Sequence, residues 1–305
     1  MIRLVAWAAA LAIGVAAPLA SDAPKAAPSA SSAQVTVLTT SEVSLEAQVD
    51  IWIAELAKDK AFSAWKNATW RKAPLGPGQH GWIVFVQGDG GKTIGYMAVG
   101  AKPEGGYELL EYGEGEFTLF SPAALEQALK SDGLEGVAFT SKAAVERLYF
   151  DPMHAVWQVS EAGVVRYADA ATGAWLPVTA EDVSRLKGST SSKESLSGKR
   201  LHIMKEPGDP YMNLDWFEAS DASIRGWNDF AAWFAAQGEG EAIYAGSAFA
   251  GAVATPVGVA GYHWWPVADG YSAANAPLGG FVALDQEGLT RYAPLERLLA
   301  VGAFR

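Results

Sequence analysis

The sequence contains four histidines and no cysteine, and this limits the chemistry that its side chains can perform. The histidines are His80, His154, His202 and His263. No two of them have the short spacing of a helical metal motif such as His-Glu-x-x-His. Disulfides, thiolate metal sites and a cysteine nucleophile all need cysteine, so they are excluded. We predict no metal and no cofactor, and we expect His80 and His202 at the surface.

Two glycine-rich segments carry residue types that bind ligands in other proteins. Gly88-Asp-Gly-Gly-Lys-Thr93 ends like a phosphate loop, but Val86 stands where that loop needs its first glycine. This segment is predicted to be a hairpin turn. Glu111, Glu114 and Glu116 could act as acid–base groups or calcium ligands, but their spacing does not match an EF-hand loop. We predict that they form a solvated acidic loop.

Aromatic residues are dense in the last third of the chain. The residues that we predict to bind a ligand there are Trp216, Tyr262, Trp264 and Trp265. Aromatic side chains near carboxylates can form a platform for a glycan, but they also fill cores. The helical spacing of Trp227 and Phe234 favours a core position for those two residues. Both interpretations of the aromatic cluster remain open.

The elements that must position these residues alternate between helix and strand. Apolar residues at helical spacing predict a helix over 44–65. Short apolar runs at 82–86, 94–99 and 107–112, separated by glycine-rich turns, predict a three-stranded meander. Together these patterns predict an α+β fold with antiparallel sheets, packed helices and two subdomains.

The remaining elements follow the same two periodicities. Further helices are predicted from Ser121, over 142–148, over 222–236 and over 294–300. Further strands are predicted over 155–159, 164–167, 242–265 and 281–284. The helix from Ser121 has a serine cap followed by Pro122, which is the usual beginning of a helix.

A change of composition divides the chain. Residues 188–200 are polar, serine-rich and free of aromatic residues, so they are predicted to be a linker. The linker separates an α+β module of a helix and a meander, 41–187, from an acidic, aromatic-rich α+β domain, 201–305. The second domain carries 5 basic and 12 acidic side chains.

The first 40 residues have the composition of a targeting segment. Residues 1–20 begin with Arg3 and continue as an apolar run, which predicts a signal peptide or a membrane anchor. Residues 21–40 are predicted to be a flexible tether. We therefore expect an extracellular or cell-surface protein that contacts a membrane only through this segment. The net charge of −11 argues against nucleic-acid binding.

Several motifs of the first module resemble known families. Trp157-Gln-Val159, Gly163, Tyr167-Ala-Asp169 and Thr172-Gly-Ala-Trp-Leu176 resemble the strand pair of PepSY-type domains, which are small extracytoplasmic modules of peptidase propeptides and envelope proteins. The predicted first helix, followed by residues 81–99, resembles the propeptide of streptopain-type peptidases. These resemblances imply a module that contacts a peptidase.

The second domain resembles the tail of papain-like, bacteriocin-processing cysteine peptidases. The resemblance rests on Gly261-Tyr-His-Trp-Trp265, Leu284-Asp-Gln-Glu-Gly288 and Pro294-Leu-Glu-Arg-Leu298. It implies that His263 is a catalytic base and that Asp285 orients its imidazole.

The sequence departs from that family in three ways. Tyr262 separates the glycine from the histidine, Gln286 replaces a proline, and the chain has no cysteine. Because the family's nucleophile is a thiolate, its mechanism is lost without cysteine.

A third resemblance extends over both halves. Gly95-Tyr-Met-Ala-Val99, Glu111-Tyr-Gly113 and Tyr292-Ala-Pro-Leu-Glu296 resemble uncharacterised exported proteins of spore-forming Gram-positive bacteria. No function is implied by it.

Three hypotheses for the function follow. The first is a non-catalytic cell-envelope protein that binds a protein or peptide partner, as a peptidase inhibitor or a propeptide does. The second is a degenerate papain-like hydrolase domain that uses His263, Asp285 and an unidentified hydroxyl. The third is a glycan-binding wall protein with peptidoglycan as its partner. The absence of a complete catalytic set favours the first.

Overall fold

The computed structural model describes residues 43–131, 143–186, 200–212, 214–264, 279–286 and 288–305. Within these ranges six α-helices and thirteen β-strands form an α+β fold. All strand pairs are antiparallel, so the predicted α+β class with antiparallel sheets and packed helices is confirmed. In the same ranges, no helix combines the length and the apolar composition that crossing a membrane requires. The predicted targeting segment and tether, 1–40, lie outside the described residues.

The elements have the following bounds. The helices are α1 (Leu45–Leu56), α2 (Pro122–Ser131), α3 (Ala180–Ser184), α4 (Asp215–Glu218), α5 (Trp227–Ala236) and α6 (Leu295–Leu299). The strands of the first half are β1 (Thr69–Pro74), β2 (Gly81–Gln87), β3 (Thr93–Ala101), β4 (Tyr107–Glu114), β5 (Ala143–Tyr149), β6 (Ala155–Glu161) and β7 (Val164–Asp169). Those of the second half are β8 (Leu201–Met204), β9 (Ile243–Ala248), β10 (Val253–Trp264), β11 (Gly280–Gln286), β12 (Leu289–Pro294) and β13 (Gly302–Phe304).

One large sheet contains ten of these strands, in the order β1-β2-β3-β4-β12-β11-β10-β9-β13, with β8 paired to β10. The two predicted domains meet inside this sheet, where Tyr112 of β4 pairs with Tyr292 of β12. Strands from both sides of the predicted linker therefore share one hydrogen-bonded sheet. Residues 187–199, which include most of that linker, lie outside the described residues.

The first helix is shorter than its apolar pattern predicts. Ser44 caps it by accepting a hydrogen bond from Ala47 N at 3.2 Å. It ends at Leu56, and the chain then turns, because the Asp59 side chain accepts the backbone N–H of Ala61 at 2.9 Å. Such a local bond offers the backbone an alternative to the helix.

The helix predicted over 142–148 is wrong. From Ala143 onward this segment is strand β5, in which Val145 pairs with Val159 and Arg147 with Trp157. The Arg147 guanidinium lies 4.9 Å from the centre of the Trp157 ring. The helical propensity of Ala, Glu, Arg and Leu is overridden by this pairing, since propensity is a weak preference that tertiary contacts can outweigh.

The large sheet is covered on both faces. Helix α1, together with Phe62 and Trp65, packs against one face. The small sheet β5–β6–β7 and helix α2 cover the other face of β2 and β3. Helix α5 packs through Trp227, Phe230 and Phe234 against the strands of the second half. Each face of the sheet therefore has its own core.

Candidate functional site

His263 is buried at the end of β10 and lies opposite His202 of β8. The two imidazole rings are stacked with their centroids 4.7 Å apart. His263 Nδ1 lies 2.8 Å from the Tyr112 hydroxyl, and Phe62 stacks on the ring. Burial, together with the neighbouring His202, lowers the pKa of His263 to about 3. His263 is therefore neutral at pH 7.

His202 is not at the surface, contrary to expectation, because only 10% of its side chain is exposed. Its Nδ1 lies 3.1 Å from Asp59 Oδ1, and its Nε2 lies 3.1 Å from the Tyr292 hydroxyl. Tyr292 in turn donates to Glu114 Oε1 at 3.3 Å. His202 therefore joins β8 to the turn after α1 and, through Tyr292, to β4.

The pKa values of Asp59 and Glu114, the two carboxyls at the ends of this chain of hydrogen bonds, are shifted in opposite directions. Burial raises the pKa of Asp59, but the N–H of Ala61 and the adjacent His202 outweigh it, so the pKa lies below its usual value. Burial raises the pKa of Glu114, and the hydrogen bond from Tyr292 only partly opposes this effect. Asp59 is consequently the more readily ionised of the two carboxyls.

Asp285 does not approach His263. In the β10–β11 pair, Asp285 lies opposite Gly258, whereas His263 lies opposite Phe281. The two positions on β11 are four residues apart, which is about 13 Å along a strand. Burial raises the pKa of Asp285, and a hydrogen bond from the Gly288 backbone opposes the increase. Asp285 thus lies away from His263 and does not orient its imidazole.

The aromatic residues predicted to bind a ligand are in separate environments. Tyr262 is 8% exposed and packs against Trp227, Phe230 and Phe234. Trp264 is half-buried, with its ring edge-on to Trp227. Trp216 is half-buried and donates its indole N–H to Pro210 O at 2.8 Å. Trp265 lies outside the described residues.

The expected acidic loop is in part a buried ion pair. Glu111 is completely buried and accepts from Arg291 Nε at 2.8 Å and from Arg291 Nη2 at 3.0 Å. The hydroxyls of Tyr96 and Tyr149 also donate to the Glu111 carboxylate. Burial opposes the charge of Arg291, but Glu111 outweighs it and raises the Arg291 pKa above its ordinary value. Arg291 also donates to Gln286 Oε1 at 2.7 Å, so this cluster is a closed structural network.

A groove with a volume of about 380 Å³ lies along β10 at the end away from His263. Its floor is residues 253–257 of β10, and the end of β11 contributes Asp285 and Gln286. One wall is the loop 207–211, and the other consists of residues between 169 and 176 that follow β7. We call this feature the edge groove.

Glycine brings the first wall close to the strand. A Cβ on Gly258 would meet the backbone of Gly208, whose nitrogen would be 3.0 Å away. Only a residue without a side chain at 258 lets the loop 207–211 lie against β10, so this contact sets the width of the edge groove.

The floor of the edge groove is a strand edge that is paired on one side. Residues 253–258 pair with β9, but β11 reaches only as far as Gly258, and no strand of the described residues pairs with 253–257 on that side. Val259 donates to Ala242 O, toward β9. Because hydrogen-bonding direction alternates along an antiparallel strand, Val257, Thr255 and Val253 also face β9.

Ala254 and Pro256 therefore direct their backbone groups into the edge groove. Pro256 has no N–H, so it offers only its carbonyl, whereas Ala254 offers both an N–H and a carbonyl. A proline is tolerated in a strand where its missing N–H would face an open edge, as it does here. The edge groove thus presents three backbone hydrogen-bonding groups to an occupant.

Among the described residues, no group of three or more histidine, aspartate and glutamate side chains could hold a metal ion. Comparison of the chain with protein-family models, curated proteins and solved structures gives no significant match. The resemblances stated from the sequence motifs therefore stay predictions.

Proposed function

We propose that the protein is a non-catalytic binding protein whose edge groove holds an extended segment of a protein or peptide partner. The observation that carries this proposal is the one-sided pairing of residues 253–257 beside the edge groove. An extended peptide can add to such an edge as a further antiparallel strand, with backbone hydrogen bonds providing affinity. The export predicted from residues 1–20 would bring the protein into contact with such a partner in the cell envelope.

Strand addition fits the dimensions of this edge. Five residues of β10 correspond to about 17 Å of strand, the length of a typical short strand. The two walls flank the edge, so the side chains of an added strand would contact the loop 207–211 and the residues after β7. Specificity would come from those walls, since an added strand directs alternate side chains to opposite faces.

The absence of cysteine from the chain allows a direct test. The Ala254→Cys variant carries a single thiol on an exposed residue of the edge groove, and maleimide-polyethylene glycol attached there would block the groove. The matched control is Ala123→Cys on the exposed side of α2. Both labelled variants and the unmodified full chain would be compared in binding to peptides enriched on that chain from a phage-displayed library of random ten-residue sequences.

The expected result is that labelling at 254 abolishes binding of the enriched peptides, whereas labelling at 123 leaves their affinity unchanged. Hydrogen exchange at the Ala254 amide should also slow when a peptide is bound. The proposal is overturned if no peptide is enriched, or if every enriched peptide binds equally well after position 254 is blocked.

A further inference from the structure

The lining of the edge groove is acidic. Among the described residues, its charged lining side chains are the three carboxylates of Asp169, Asp209 and Asp285, and no described lysine, arginine or histidine lines it. One carboxylate comes from each wall, and the third comes from the end of β11. A cation placed on the edge between the walls would therefore have carboxylates on more than one side.

Two of the carboxylates are held in fixed orientations by their own loops. Asp169 Oδ1 accepts from the backbone N–H groups of Ala171 and Thr172, at 3.0 and 2.8 Å. Asp209 Oδ1 accepts from the backbone N–H of Tyr211 at 2.9 Å. Orienting these groups before binding reduces the conformational entropy that an occupant must overcome.

Asp285 is the carboxylate that the end of β11 contributes. It is half-buried, and burial raises the pKa of its carboxyl, which means that its charge lacks full compensation in the structure. A cation bound beside Asp285 would supply that compensation and return the pKa toward its ordinary value.

The other lining residues suit the stems of long cationic side chains. Pro207, Pro256 and Tyr211 present apolar surface next to the carboxylates, and Tyr211 is 72% exposed. Lysine and arginine bury their methylene stems along apolar surface while their charged ends remain near water or an anion. A tyrosine ring also attracts a cation placed over its face.

We infer that the edge groove selects extended segments with lysine or arginine at alternate positions. This inference rests on the proposed function, because the peptide backbone must first add to the edge of β10. Alternate spacing follows from the strand, which directs every second side chain to the same wall. The open edge binds the peptide backbone, and the carboxylates select peptides with cationic side chains.

The test compares three synthetic peptides that differ only in charge. They are acetylated, amidated sequences Ser-X-Val-X-Thr-X-Val-Ser, with X as lysine, glutamine or glutamate. Affinity for the full chain would be measured by calorimetry at 50 and 300 mM NaCl. The lysine peptide should bind tightest and the glutamate peptide weakest, and added salt should weaken only the lysine peptide.

Variants locate the effect. Asp285→Asn and Asp209→Asn should each reduce the affinity for the lysine peptide by about twofold to fivefold, as expected for partly exposed charge pairs. Glu104→Gln, in the exposed turn between β3 and β4, removes the same charge away from the edge groove and should change nothing.

The outcomes separate this inference from the proposed function. Equal binding of all three peptides, with loss on labelling the Ala254→Cys variant, overturns the selection for cations and leaves strand addition intact. Failure of all three peptides together with failure of the phage-displayed library overturns both. Tighter binding of the glutamate peptide overturns the inference directly.

Discussion

His202 and His263 face each other across the β8–β10 pair, with their ring centroids 4.7 Å apart. Their surroundings differ, because His263 is enclosed by Phe62, Tyr112 and its own strand, while His202 reaches Asp59. Two stacked imidazoles repel each other when both are protonated. This repulsion is avoided at neutral pH because the low pKa of His263 keeps its imidazole uncharged.

The first prediction concerns the effect of pH on stability through His263. Its pKa is about 3 in the folded protein and 6.5 as the ordinary value. Between these values the unfolded chain binds a proton that the folded chain does not, so the free energy of unfolding falls as the pH decreases below 6.5. The loss is about 1.4 kcal/mol per pH unit, or roughly 2 kcal/mol at pH 5.

Urea unfolding at pH 7.5 and pH 5.0 measures this loss, and the His263→Gln variant removes the contribution of the imidazole. The variant should therefore lose about 2 kcal/mol less than the unmodified protein over the same interval. The resonances of His263 in the folded protein provide a second measurement that needs no variant. Titration of His263 near pH 6.5 would contradict the prediction.

The second prediction concerns the ion pair of Glu111 and Arg291. Arg291→Met leaves a completely buried carboxylate without its cation, so we expect a loss of about 3–5 kcal/mol in the free energy of unfolding. The double variant Glu111→Gln with Arg291→Met removes both charges and should be more stable than the sum of the single effects implies. Urea unfolding of the unmodified protein, the two single variants Glu111→Gln and Arg291→Met, and the double variant completes the cycle. Strictly additive losses would show that the two side chains do not interact.

The third prediction concerns the two predicted domains. Tyr112 and Tyr292 pair β4 with β12, and their rings stack at 4.7 Å. The fragments 41–187 and 201–305 would each expose an unpaired strand edge and separate Glu111 from Arg291. We expect neither fragment to give the dispersed amide spectrum of a folded protein when expressed alone.

The intact chain should instead unfold in one transition, with tryptophan fluorescence and far-ultraviolet circular dichroism changing at the same urea concentration. A well-dispersed spectrum from either fragment would show that half of the large sheet is stable without the other.

Local patterns predicted the elements that depend on nearby residues. The meander expected at 82–86, 94–99 and 107–112 corresponds to β2, β3 and β4, because the short apolar runs and the glycine turns that predict it lie within a few residues of each other. The residues of β5 have the local pattern of a helix. They form a strand because they pair with β6, where Arg147 lies opposite Trp157, and this pairing is not visible in the local pattern.

Contacts between distant residues were not accessible from the sequence. Glu111 and Arg291 are 180 positions apart, and neither residue carries a local sign of burial. The same holds for His202, whose partners Asp59 and Tyr292 are 143 and 90 positions away in the chain. One residue of the sequence does indicate the edge groove. Pro256 stands within a strand pattern, and a proline in that position indicates an edge strand.

Pro256 also affects how copies of the protein meet one another. An open strand edge is a template on which identical chains can stack and aggregate. Two copies that joined through residues 253–257 would lack the Pro256 N–H on each strand, so their shared ladder would lose a hydrogen bond at each Pro256. A partner can still donate to the Pro256 carbonyl, and the same residue thus discourages pairing between identical chains while leaving the groove open to a different chain.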